Sequence, residues 1–377
     1  MEQEKLRAER TPEVKLIAFH LPQFHTFPEN DKWWGKGFTE WTNVKKATPL
    51  YPGHNQPRVP LHENYYDLSS LDTLLWQMNL ARKYGVYGFC YYHYWFGGKL
   101  LLHKPLELLL QYEGEKLPYC LCWANEPWTR SWDGRVNDVL MPQEYGGEED
   151  WEAHFQYLLP YFQDPYYIRT EEKPVLLLYR CNTIPRCDEM IVYWEKRCRE
   201  YGFAGLHVVE EQNTFQQEPV CPHSQGVAEF EPACTSNYYR SVMEKVQDNL
   251  FTRGFNLLTG NRFVRVYPYK RMWRSMVKRK RVAPAGKKLY PGAFADWDNT
   301  PRKGKHGVFY LGSSPEIFGK YLKLQKKNAQ KLGSQFIFLN AWNEWGEGTY
   351  LEPDEKNGYA YLEQVADCFL PAGGEKI

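Results

Sequence analysis

Short apolar runs of strand length recur along this chain, and most are followed by a stretch with helical spacing or helix start and stop signals. The runs cover residues 14–19, 87–96, 118–123, 173–179, 206–209, 227–230 and 290–295, and a last one begins at Phe336. Helices are expected over 70–84, 105–110, 150–162, 188–201, 314–332 and 359–369. Strands that alternate with helices specify a parallel sheet. About eight of them in 377 residues suit an α/β fold, a (β/α)8 TIM barrel with long loop insertions, as one domain over 1–377. An open doubly wound sheet is the competing architecture, but no GxGxxG or GxxxxGK[ST] is present to anchor a nucleotide.

Two segments break the alternation. A loop at about 21–69 is rich in Pro and Gly and carries Trp33, Trp34, Glu40 and Trp41, and so many aromatics argue for an ordered loop. A basic insertion lies at about 237–289, where residues 262–288 interleave eleven Lys and Arg with Tyr267, Tyr269, Met272, Trp273, Met276 and Val277. As one helix this stretch has an apolar and a basic face, which suits an anionic membrane or a phosphorylated glycan; a solvated insertion is the plain alternative. Net charge over the chain is only +1, so no global field recruits nucleic acid, and no such partner is expected. The N-terminal MEQEKLRAERTPEVK lacks the apolar segment of a signal peptide, and nine scattered cysteines suggest reduced thiols instead of disulfides or zinc. The expected setting is the cytoplasm, with no metal and no other cofactor.

Polar residues gather where the strands end, the rim that carries the active site in such barrels. The clearest case is 336–354, FIFLNAWNEWGEGTYLEPD, an apolar strand that runs straight into Asn340, Trp342, Asn343, Glu344, Trp345 and Glu347. Glu344 and Glu347 lie three apart, so one turn brings both acids to one side. Two carboxyls in a Trp-lined cleft suit glycosidic-bond chemistry, in which one protonates the leaving oxygen and the other acts as base or nucleophile. They are the expected catalytic pair, acting on an oligosaccharide or polysaccharide. Substrate contacts are expected from Glu126, Asn125, His93, Tyr94, Trp95, Trp128, Asp298, Arg302, Asn343 and Trp345. An aromatic content of 16% agrees, because flat apolar faces with polar edges stack on sugar rings. Two rival functions stay open. Asp296-Trp297-Asp298 matches the DxD pattern with which many nucleotide-sugar glycosyltransferases hold a divalent cation, and a non-catalytic glycan-binding barrel is the third possibility.

Asn343, Glu344, Trp345, Glu347, Gly348, Thr349 and Glu352 resemble the Asn-Glu-Trp-x-Glu-Gly-Thr-x-x-Glu motif of the glycoside hydrolase family 99 endo-α-mannosidases. Most of the chain is similar to the WbsX-like proteins of bacterial surface-polysaccharide clusters, through 19–25, 37–41, 123–126, 297–302 and 351–353 in that order. The first resemblance implies a retaining glycoside hydrolase on a (β/α)8 barrel without a metal. It implies Glu344 as base on the sugar's own 2-hydroxyl and Glu347 as acid/base at the leaving oxygen. The second implies a role in polysaccharide metabolism, such as lipopolysaccharide O-antigen or capsule biosynthesis, where a glycosyltransferase is the alternative. Gly346 stands where the endo-mannosidases usually carry His, so the surroundings of the pair differ.

Overall fold

The apolar runs close into a cylinder. A computed structural model describes residues 13–129 and 139–371; most of the N-terminal segment weighed above as a leader lies outside them. The barrel strands are β1 (Lys15–His20), β2 (Gly88–Phe96), β3 (Tyr119–Trp123), β4 (Lys173–Leu178), β5 (His207–Gln212), β6 (Gly226–Glu229), β7 and β8 (Phe336–Asn340). Neighbours in this order pair in parallel, and β8 returns to β1 with Lys15 opposite Phe336. Strand β7 is broken in two by Pro291, which has no N–H to give to a ladder. Its first half, Lys288–Tyr290, pairs with β6, and its second half, Gly292–Phe294, pairs with β8. That exchange of partners closes the barrel and settles the choice against an open sheet.

Helices α1 (Leu71–Lys83), α2 (Lys104–Gln111), α3 (Glu148–Gln163) and α4 (Cys187–Glu200) follow β1 to β4. Between β5 and β6 the chain crosses over in an irregular loop. Helices α5 (Val242–Thr259) and α6 (Tyr269–Lys278) follow β6; α7 (Pro315–Lys331) and α8 (Ala360–Phe369) follow β7 and β8. Among the described residues, no helix is long and apolar enough to cross a membrane. Inside the cylinder Phe19 meets Tyr92, Phe230 and Phe338, rings from opposite sides of the barrel, so its axis is filled by side chains.

The basic segment departs from its single-helix expectation. Residues Arg265–Pro268 form a short strand against Val308–Leu311, α6 spans only ten residues, and the chain is irregular from there to β7. The apolar side of α6 is spent on the core: Trp273 is fully buried and stacks on Phe294 and Tyr321, with Tyr269, Met272 and Met276 buried beside it. A membrane-surface helix needs that face free, so α6 is not one. Several of the cations are also matched: Arg271 pairs with Asp248, Arg281 with Glu229, and Arg279 with Glu229 and Glu231. Truncation at this core position, Trp273→Ala, is expected to cost about 3–5 kcal/mol of unfolding free energy in a urea titration; an unchanged midpoint would contradict the burial of α6.

Candidate active site

After β8 the chain turns back in a tight hairpin, with Asn343–Glu344 paired antiparallel to Thr349–Tyr350 and Trp345–Glu347 as the connecting turn. Gly348 occupies the left-handed region at φ +63, and a Cβ there would lie 2.9 Å from Asp298. The hairpin is fixed from below. Asn343 accepts from the Leu21 amide at 2.7 Å and donates to the Leu21 carbonyl at 3.0 Å. Trp345 is fully buried, stacks on Tyr350 with centroids 3.8 Å apart, and donates its indole N–H to Glu352 at 2.7 Å. Glu352 also accepts from Tyr66 and Gln77, and burial pushes its carboxyl up to about 7. Asn343 and Trp345, expected to touch substrate, are thus spent on holding the turn.

Three carboxylates meet on one guanidinium. Arg302 donates through Nε to Glu40 at 2.8 Å, and its two terminal nitrogens lie 3.0 Å from Glu344 and 2.8 Å from Glu347. Glu344 and Glu347 are therefore bridged by one guanidinium, each through its own terminal nitrogen. Glu40 comes from the short helix Glu40–Lys46 of the long loop, and its neighbour Trp41 packs on Trp345 with centroids 5.4 Å apart. Gly346 is what admits it: a Cβ there would fall 1.7 Å from Glu40 Oε1 and 2.8 Å from Arg302 Nε. In the sequence Glu40 belongs to the aromatic loop and to the WbsX-like stretch 37–41, with no role expected of it; the Gly346 departure was the available signal.

One cation cannot neutralise three desolvated acids. Burial raises Glu344, Arg302 opposes it, and the charges of Glu347 and Glu40 add to it, leaving Glu344 at about 8. Burial likewise raises Glu40, with Arg302 opposing. Glu347 is the most open of the three, its side chain about a quarter exposed.

Other rim residues divide by strand alternation. On β2, Tyr92 and Tyr94 face the mouth: burial raises both phenols, and the charge of Glu344 adds to it. His93 and Trp95 point the other way, under α3, where His93 shares a 2.8 Å hydrogen bond with His154 and Trp95 stacks flat on the same ring. Those two are corrected to packing residues. Asn125 is buried and bridges the loops after β3 and β4, donating to the Arg180 carbonyl and accepting from the Arg180 amide. Glu126 pairs with Arg180 at 2.9 Å, and its charge reaches Tyr94, Tyr179 and Glu211. Trp128 packs with Tyr94, Phe27 and the half-buried Trp33 as an aromatic wall. Two residues at the mouth, Tyr179 and Glu211, were not among the expected substrate contacts. Tyr179 feels the charges of Glu126, Glu211 and Glu347, and burial raises Glu211 to about 8. Its neighbour Glu210 instead accepts from Gln216, Ser224 and two amides as a loop anchor.

The DxD carboxylates are committed to protein partners. Asp298 accepts from His54 at 2.9 Å, Gln56 at 2.7 Å and Thr300 at 2.7 Å, which outweigh its burial and hold it down at about 2. Asp296 pairs with Arg58 at 2.9 Å. They border a separate cavity of about 320 Å³ behind the Gly348 turn. A divalent cation would have to displace these partners. Among the described residues, the side chains grouped closely enough to hold a metal are Cys181, Cys187 and Cys221, buried thiols whose sulfurs lie within 4.8 Å of one another.

The sequence profile described as "Glycosyltransferase WbsX" matches residues 16–365. An uncharacterized protein WxcX of Xanthomonas campestris pv. campestris strain B100 is 37% identical over 360 residues, covering 95% of this chain and 50% of the relative. Its counterpart in strain ATCC 33913 matches equally, so the chain spans about half the length of the curated relatives it matches. Among solved structures, a glycoside hydrolase-like protein superposes with a TM-score of 0.58 at 11% identity, over 96% of both chains. The GH99 endo-alpha-mannosidase from Bacteroides thetaiotaomicron does so at 0.52 and 14% identity, over 93% of this chain and 95% of that one. At such identities the likeness shows the fold: a (β/α)8 barrel of the kind found in glycan-active enzymes.

The Gly346 contact can be tested without a substrate. Gly346→Ala must push Glu40 off Arg302 and is expected to lower unfolding free energy by about 2–4 kcal/mol in denaturant titrations. A variant as stable as the parent would show that Glu40 does not hold this position.

Proposed function

The chain belongs to the WbsX glycosyltransferase family, and from that premise we propose that it cleaves or transfers a glycosidic bond with retention, using Glu344 and Glu347. The observation that supports this most is the shared Arg302, which holds both acids of the hairpin at one place beside an aromatic wall. The saturated Asp298 favours this pair over a cation-centred glycosyltransferase site.

In the scheme implied by the family 99 motif, Glu344 takes the proton of the sugar's 2-hydroxyl as that oxygen attacks C1 from the face opposite the leaving group. Glu347 gives its proton to the departing oxygen, so the C1–O bond breaks as the three-membered 1,2-anhydro ring forms. Water, or a hydroxyl of an acceptor glycan, then loses a proton to Glu347 and opens the ring at C1, while Glu344 returns its proton to O2. Two inversions give net retention. Surplus negative charge around Arg302 suits the positive charge that builds at C1 in the transition state. Tyr92, Tyr94, Tyr179 and Trp128 would contact the glycan, with Glu126 and Glu211 at the far side of the mouth. The nine buried thiols accord with a reducing cytoplasm. Whether the second substrate is water or a sugar separates hydrolysis from transfer.

Glu347→Gln keeps the shape and the Arg302 contact but removes the proton donor, so product formation from a reactive oligosaccharide library should fall by about 10²–10⁴-fold with glycan binding retained. Parental rates in that variant would overturn the assignment. As a base, Glu344 works only when ionised, so kcat/KM should rise with pH through about 8, following its raised carboxyl. A fall over that interval would make Glu344 the proton donor and invert the two roles.

A further inference from the structure

Helix α5 is inside out. It is a properly terminated helix, with the Ser241 hydroxyl accepting from the Glu244 amide at 3.2 Å and Gly260 in the left-handed region at its end. Its inward side is mostly polar or aromatic. Asp248 is buried against Arg240 and Arg271, Thr252 donates to the Val266 carbonyl, Asn256 donates to the Val264 carbonyl, and Phe255 packs on Tyr51 and Phe309. The outward side is aliphatic. Met243, Val246, Leu250 and Leu257 recur at i, i+3, i+7 and i+14, one stripe along the axis. Exposure along that face reaches 66% for Met243, 61% for Leu250 and 85% for Leu257, with Leu258 at 87% beside them. Just beyond the helix end, Phe263 is also more than half exposed and lies against His306 and Lys305.

An aliphatic stripe of this size facing water marks a docking surface, and its rim says what docks. Lys245, Arg253, Arg262 and Lys305 are exposed around it. The two acids of residues 241–290 are Glu244 and Asp248, and both are taken up inside, by Ser275 and by the two arginines. Two copies meeting through this face would bring cationic rims together with no carboxylate of the helix to match them. An anionic bilayer offers both acyl chains for the stripe and negative headgroups for the rim. We infer that α5 is an interfacial helix that seats the barrel on an anionic lipid surface. The membrane-facing chemistry expected of residues 262–288 belongs to the preceding helix, since α6 has given its apolar face to the core. This holds whether or not Glu344 and Glu347 are catalytic.

Co-sedimentation of the full chain with vesicles tests it. The protein should partition onto phosphatidylglycerol-containing vesicles, bind pure phosphatidylcholine vesicles much more weakly, and lose affinity as salt rises. The double variant Leu250→Asp/Leu257→Asp, at positions that support no core, should keep the parental circular dichroism and melting temperature while partitioning at least about tenfold less. Lack of binding to anionic vesicles, or equal binding by the folded variant, would overturn the inference. So would a concentration-dependent dimer in sedimentation velocity that the same substitutions abolish, because it would assign the face to a second copy.

Discussion

A single guanidinium organises the mouth of this barrel. Arg302 draws Glu40 from the first long loop and Glu344 and Glu347 from the last hairpin to one point, tying chain segments some 300 residues apart in sequence. Breaking such a buried network from one side leaves desolvated charge behind, which costs more than any one of its hydrogen bonds contributes. The rest of the rim is built to keep that point in place: Trp41 on Trp345, Trp345 on Glu352, Asn343 on the Leu21 backbone, and a glycine where any side chain would intrude. The three acids remain short of positive charge. Burial and then that shortage raise Glu344, and the shortage would be relieved by an electron-deficient sugar carbon.

Much of the architecture was legible because barrel strands buried on both sides read as continuous apolar runs. Each of the eight expected runs carries a strand, and the six expected helices are all present within a few residues of their bounds. The interruption of β7 at Pro291 could not be seen, since which neighbour each half selects depends on closure of the whole sheet. At the site, the sequence identified the residue types crowded at strand ends but not their directions. Period-two alternation separates Tyr92 and Tyr94 from His93 and Trp95, and Glu211 from Glu210, yet each pair reads alike as polar residues at a strand end. Glu40 was illegible as a site residue for a different reason. Its place depends on a contact across 262 residues and on the absence of a side chain at Gly346.

The basic insertion shows how a correct composition can mislead about placement. Cations and large apolar residues do alternate across 262–288, but Tyr269, Met272, Trp273 and Met276 of α6 are buried, with Trp273 packed on Phe294, Phe318 and Tyr321. The exposed aliphatic stripe lies one helix earlier, in a stretch with a far less conspicuous charge pattern. Burial, which periodicity alone does not report, decides which of two amphipathic helices is free.

A co-crystal structure with a mixture of iminosugars addresses the central claim most directly, because a cationic ring nitrogen mimics the charge that develops at C1. The account predicts the ring between Tyr94 and the hairpin, its nitrogen within hydrogen-bond distance of Glu344 or Glu347 and Arg302 still bridging the acids. A sugar ring bound instead at the Asp296–Asp298 cavity, with the Arg302 cluster untouched, would contradict it.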